Sequence, residues 1–166
     1  MKKNEGLSLI ELIVVIAIMG VMVSVIGISI TVVSRQRVSN AASEVKVQFQ
    51  AAQTIAMSKD NCRVQIKRLS DGDTEVTVFS SEEKILDRIT ISKKVTVEVD
   101  YGSGFTSIAD CGTVMIYYVR ATGAFDHATV GGATKDHISR IRFANKSRSE
   151  EITLLFTKLT GKVSYE

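Results

Sequence analysis

Proline is absent from this chain of 166 residues, and so is tryptophan. With no proline, no ring lacking a backbone N–H interrupts a helix anywhere along the chain. With no tryptophan and only 6% aromatic residues, the composition argues against a carbohydrate-stacking surface. Histidine and cysteine occur twice each, and no spacing among His127, His137, Cys62 and Cys111 resembles a metal site. Serine, histidine and aspartate are all present, yet neither a nucleophile elbow nor a zinc-binding helix frames them. The stretch Val130-Gly131-Gly132-Ala133-Thr134-Lys135 lacks the Gly-Lys-Ser/Thr order of a phosphate loop and reads as a flexible β–β connection. Asp71, Asp73 and Glu75 alternate, but they are out of register for an EF-hand and read as a solvated turn. Charge of one sign is also not in large excess: the formal balance is +3, which by itself is not a nucleic-acid signature. The sequence therefore offers no catalytic residue, no metal ligand set and no cofactor, and it reads as a non-enzyme.

What the chain does have is concentrated at its start. Lys2 and Lys3 precede an apolar run from Leu7 to Val33, about 27 residues where about 20 suffice to cross a bilayer. Lysines on the short end put that end in the cytoplasm and the rest of the chain outside. Glu11 is the one carboxylate in the run, and an ionisable group at such depth usually has a partner or a function. Beyond the run, Val38, Ala42, Val45, Phe49, Ala52 and Ala56 recur at alternating spacings of four and three, the mark of a helix with one buried face. No glycine falls between Gly27 and Gly72, so the pattern predicts one helix from Leu7 to about Met57, roughly 76 Å long. Its first half is apolar all round and its second half amphipathic.

After Asn61 the period changes to two. Residues 63–68 and 74–79 alternate around Ser70-Asp71-Gly72-Asp73, a hairpin signal. Further strands are expected at 85–91, 95–99, 113–119, 138–143 and 152–156, with a last short one from Val163. Seven or so strands and no later helix make an α+β chain: a long N-terminal helix packed on an antiparallel sheet, possibly two sheets.

The residues Gly6-Leu7-Ser8-Leu9-Ile10-Glu11 resemble the class III signal of type IV prepilins and pseudopilins. Leu7 stands where phenylalanine is commonest in that family. The resemblance implies that a prepilin peptidase cuts after Gly6, that Leu7 becomes the N-methylated first residue, and that Glu11 is the charge that docks one subunit on another. It also implies a division into a leader (1–6), a transmembrane and filament-core helix (7–33) and a globular head (34–166), with the pilin-like fold of a helix on a β-sheet. Ile116-Tyr117-Tyr118-Val119-Arg120-Ala121-Thr122-Gly123 and Thr160-Gly161-Lys162-Val163 are similar to elements of minor pseudopilins of the GspH/FimT type. Together these imply a minor pilin or pseudopilin anchored in the inner membrane with its head outside. It would be a structural subunit that helps initiate a type IV pilus or type II secretion-like filament. Its partners would be the peptidase, other pilin subunits, an assembly platform in the inner membrane, and membrane lipid.

Two alternatives compete with that role: a filament-tip module that binds DNA or an adhesion ligand, and a signal-anchored domain that keeps its first six residues. For DNA, Arg140, Arg142, Lys146 and Arg148 occur with no acid between them and are the candidate phosphate contacts. The plainer reading is a solvated sheet edge, since Glu150 and Glu151 follow at once. Outside the membrane, Cys62 and Cys111 can form a disulfide worth roughly 4 kcal/mol in the chain-entropy model, or remain two buried thiols. The residues leave both open.

The first test is chemical. Mass spectrometry of the mature N-terminus should find a chain beginning at methylated Leu7, and a bulky side chain at Gly6 should block the cut while insertion persists. A chain still starting at Met1 would end the prepilin interpretation.

Overall fold

The computed structural model describes residues 9–58, 60–80 and 82–166, with no side chain between 24 and 31. It divides into two compact units, residues 1–36 and 37–166. Helix α1 spans Leu9–Met57. In the first unit its described large apolar side chains, from Leu9 through Val23 and again at Val32 and Val33, are all exposed, with Glu11 among them. Among the described residues, no helix is long and apolar enough to cross a membrane. The span expected over 7–33 is only partly covered by them, because the described side chains stop at Val23 and resume at Val32.

The second unit begins with the amphipathic part of α1. Val38, Ala42, Val45, Phe49, Ala52 and Ala56 are all buried, so the spacing of four and three marks the core face correctly. Eleven strands follow: β1 Cys62–Arg68, β2 Thr74–Ser80, β3 Ile85–Ile91, β4 Val95–Asp100, β5 Phe105–Ser107, β6 Val114–Tyr118, β7 Phe125–Val130, β8 Ala133–Lys135, β9 Arg140–Asn145, β10 Glu151–Thr157 and β11 Lys162–Tyr165. They form two sheets with every pairing antiparallel, in the orders β3-β2-β1-β6-β7-β8 and β11-β10-β9-β4-β5. Val64, Ile66, Val76, Val78 and Ile116 of the first sheet share one core with Val97, Val99, Ile141, Phe143 and Leu154 of the second and with the α1 stripe.

The expectation of about seven strands and no later helix is corrected in two ways. A one-turn helix, α2, spans Ile108–Cys111 and is capped by Ser107, whose hydroxyl accepts from the Ala109 N–H. Strands β5, β7 and β8 were not expected. The Val130–Lys135 stretch is a hairpin in which Val130 faces Ala133, and Gly131 and Gly132 both have positive φ. That is the backbone a tight two-residue turn requires.

The end of α1 is fastened to both sheets by the two short motifs near the C-terminus. The Ala121 N–H donates to the Ala56 carbonyl at 2.8 Å, and the Gln53 side-chain amide donates to the Thr160 carbonyl at 2.6 Å. Between them Gly161 lies so close to Gly123 that a Cβ on Gly161 would sit 1.7 Å from the Gly123 carbonyl oxygen. Gly161 also has φ +65°, a region that side chains disfavour.

Gly161→Ala should therefore cost more than about 4 kcal/mol and abolish cooperative melting. Gly132→Ala, at φ +86° but with open space around it, should cost only about 1–2 kcal/mol of strain. Thermal melts by near-UV circular dichroism of the full chain in detergent compare the two. Equal, mild effects would show that the Gly123–Gly161 approach is not a structural requirement.

Candidate functional site

Gly6 and Leu7 lie outside the described residues. Glu11 is in the first described turn of α1, exposed, among the apolar side chains of Leu9, Ile10, Leu12 and Ile13. An apolar surface this continuous is not kept in water by a folded monomer and marks a lipid or protein contact.

The basic cluster is not at a sheet edge. Strand β9 lies between β10 and β4, and its register sets Arg140 opposite Asp100 and Arg142 opposite Glu98. Both acids are buried. Arg140 Nη2 donates to Asp100 at 2.7 Å, while Arg142 and Arg148 both donate to the Glu98 carboxylate at 2.5 Å. The Arg142 guanidinium lies 4.0 Å from the ring centre of Phe105 on neighbouring β5, with Arg140 5.0 Å from the same ring. Lys146 is exposed in the β9–β10 turn. Three of the four candidate phosphate contacts are thus committed to carboxylates within the sheet. A phosphate would have to displace those partners, leaving buried carboxylates unpaired.

Asp100 also accepts from the Gly102 and Gly104 N–H groups at 2.9 and 3.1 Å. Burial by itself would raise its pKa, but the Gly102 N–H, the Arg140 guanidinium and the Gly104 N–H together hold it below the ordinary carboxylate value.

The two cysteines are free thiols. Cys62 opens β1, whereas Cys111 lies beyond the other end of it, since Ile66 pairs with Val114. Four strand residues from Cys62 to Ile66 span about 13 Å, whereas a disulfide needs Cα atoms within about 7 Å. The bridge weighed from the sequence is not made, because the sheet holds its ends apart. Burial, with Asp60 nearby, pushes the Cys62 thiol up to about 11, and burial likewise raises Cys111, so both stay protonated and unreactive at neutral pH.

One arrangement escaped the sequence reading. On the outer face of the first sheet, Phe79, Arg63, Tyr117 and His127 form a row across β2, β1, β6 and β7. A cavity of about 320 Å³ adjoins it, lined by Asn61, Cys62, Arg63, Ser80, Tyr117, Tyr118 and Asp126. Alternation along β1, β2 and β6 lets Arg63, Phe79 and Tyr117 face outward, but β7, which carries His127, was not expected as a strand, and strand order, which puts β1 beside β6, has no local signal in the sequence. Neither histidine joins a metal set: each pairs with the aspartate before it, and no group of metal-binding side chains occurs among the described residues.

Comparison with known proteins resolves the N-terminus. Residues 1–27 match the family described as the prokaryotic N-terminal methylation motif. The chain carries a class III prepilin signal. The prepilin-type match is consistent with a type IV pilin-like protein and supports a substrate of prepilin peptidase that assembles with other pilins. It is equally consistent with a pilus subunit anchored in the inner membrane with its head outside. No curated protein and no solved structure matches the chain. The match stops within α1, and the two sheets lie outside it.

The depressed Asp100 pKa gives a sign for acid stability. A carboxylate held below its unfolded value contributes stability above about pH 4 and loses it as pH falls through the folded value. Asp100→Asn should cost about 2 kcal/mol at pH 7 and should flatten the loss of stability between pH 5 and pH 2. Urea melts across that range decide it; an unchanged acid slope would show that Asp100 is not the titrating brace.

Proposed function

We propose that the chain is a minor pilin or pseudopilin, a structural subunit of a type IV pilus or type II secretion-like filament that helps initiate assembly. The observation that carries this reading is the methylation motif at residues 1–27, on a helix whose described apolar side chains from Leu9 to Val23 are exposed. In this reading Leu7–Val33 crosses the inner membrane before assembly and packs among other pilin helices afterwards. Lipid and neighbouring helices are comparably apolar, so the transfer between them is driven by packing and polar contacts rather than by hydrophobicity.

The docking charge is then Glu11. Cutting after Gly6 creates a positive α-amino group on Leu7. When helices pack away from water, a carboxylate and an amine from adjacent subunits attract strongly, while either left alone is costly. Only an axial offset that joins them avoids stranding both charges. Leu7 and Gly6 carry processing, Glu11 carries register, and the two-sheet head supplies the surface that distinguishes this subunit from its neighbours.

A filament-tip module that grips DNA through Arg140, Arg142, Lys146 and Arg148 is the weaker alternative. Glu98 and Asp100 already hold three of those arginines.

Glu11→Gln preserves size and removes the charge. It should leave insertion and cleavage intact but weaken each subunit contact by about 3 kcal/mol, enough to remove most sheared filaments. Filament counts and co-purification with the other pilins provide the readout. Normal assembly of a normally cleaved variant would eliminate Glu11 as the docking charge.

A further inference from the structure

The row Phe79–Arg63–Tyr117–His127 is a stack of flat groups that parts in its middle. Arg63 faces Phe79 across β1–β2 and Tyr117 across β1–β6, so the strand register gives all three one face. Its ring contacts fall into two pairs. The Arg63 guanidinium lies over the Phe79 ring, 5.1 Å from its centre. Tyr117 stacks on His127, with ring centres 4.4 Å apart and planes 12° from parallel. The cavity of about 320 Å³ is lined by the two inner members, Arg63 and Tyr117, and not by Phe79 or His127. It therefore opens where the stack divides.

Its polar groups are placed around that opening. Arg63 Nη2 is held by Glu83 at 3.0 Å, while its Nε is buried and meets no acceptor among the described residues. A buried donor without an acceptor is uncommon in folded proteins. Asp126 lies on the β7 side, takes one contact from His127 Nδ1 at 2.9 Å, and is exposed. Asn61 adds an amide on the β1 side. A volume of about 320 Å³ is at the small end of ligand pockets, enough for a single ring system.

We propose that this cleft is a binding slot for one flat heteroaromatic ring with in-plane hydrogen-bonding groups, a nucleobase being the type. The ring would stack on the Tyr117 phenol with one edge turned toward the Arg63 side chain. An in-plane acceptor on the ring takes the Arg63 Nε–H, and a ring or exocyclic N–H donates to Asp126. Aromatic stacking and the missing acceptor are then satisfied together. The slot stands on the head's own geometry and does not depend on the filament role.

The same ring chemistry is offered by a free nucleoside and by a base in a single strand, so both are probes. Calorimetry with the full chain in detergent should show saturable adenosine binding at about 1 mM or tighter. Tyr117→Leu should weaken it at least about tenfold, since stacking on an aromatic ring carries most of such an affinity. Tyr117→Phe keeps the ring and should bind within about threefold of the parent, which separates loss of stacking from loss of fold. Arg63→Gln should also cost about tenfold. A short deoxyadenosine strand that binds at least tenfold tighter than adenosine, with affinity falling as salt rises, assigns the slot to single strands. Equal affinity assigns it to a free ring. No saturable adenosine binding up to about 10 mM, or an affinity unchanged in Tyr117→Leu, overturns the proposal.

Discussion

Phe49 is the contact on which the head depends. Its ring meets Phe156 edge-on, with centres 4.8 Å apart, and its backbone carbonyl accepts the Tyr118 hydroxyl at 2.9 Å. Phe156 belongs to the second sheet and Tyr118 to the first, so one helical residue engages both. Phe125 closes the set, lying 4.9 Å from Tyr118 and 5.4 Å from Phe156. A helix carbonyl already used within the ladder has a second lone pair, and here that lone pair satisfies a buried hydroxyl that would otherwise cost about 1–3 kcal/mol. Neither sheet alone has an obvious substitute for this wedge. The small residues Ala42, Ala52 and Ala56 on the same stripe let the strands approach the helix on either side of it.

Charge in the head is used for construction before it is offered to a partner. Glu98 and Asp100 occupy outward positions of β4, yet they are buried because Arg140, Arg142 and Phe105 cover them from the adjoining strands. Such carboxylates are tolerated only because each receives several donors. The same logic applies to Glu75 on the first sheet, buried between Lys67 and Arg88. Formal charge counted along the sequence therefore overstates how much positive surface is free to meet an anion. By contrast, Arg63 retains a donor that no side chain takes up among the described residues, and this makes it a stronger indication of a ligand than the larger cluster.

The parts legible from sequence were those with a local cause. The α1 stripe from Val38 to Ala56 was visible because helical period and burial coincide, and the β1–β2 hairpin because Asp71 and Gly72 close its turn. Strands β5 and β8 are three residues each, too short for alternation to show. Strand β7 contains Asp126 and His127, whose outward placement only becomes sensible once Tyr117 stands beside them. The mistaken edge assignment of Arg140 and Arg142 has the same origin: their partners are more than thirty-nine positions away in sequence and are brought together by the β4–β9 pairing. The methylation motif at residues 1–27 was legible for a different reason, since it is a short linear signal rather than a fold.

The two units obey opposite rules, and that contrast bears on function. In residues 37–166 most large apolar side chains are covered, and most polar groups that lie inside are paired, Gln48 Oε1, Arg63 Nε and Thr77 Oγ1 being exceptions. In residues 1–36 the described large apolar side chains are exposed without exception. A sequence under no demand beyond solubility would replace such residues at little cost, because exposed helix positions tolerate polar substitution. Their presence is thus explained by a contact outside the monomer. A single carboxylate within that surface sharpens the inference. A purely lipid-facing helix gains nothing from Glu11, whereas a helix that must choose one register among several near-equivalent apolar packings gains specificity from one charge, as a lone polar residue does in a coiled coil.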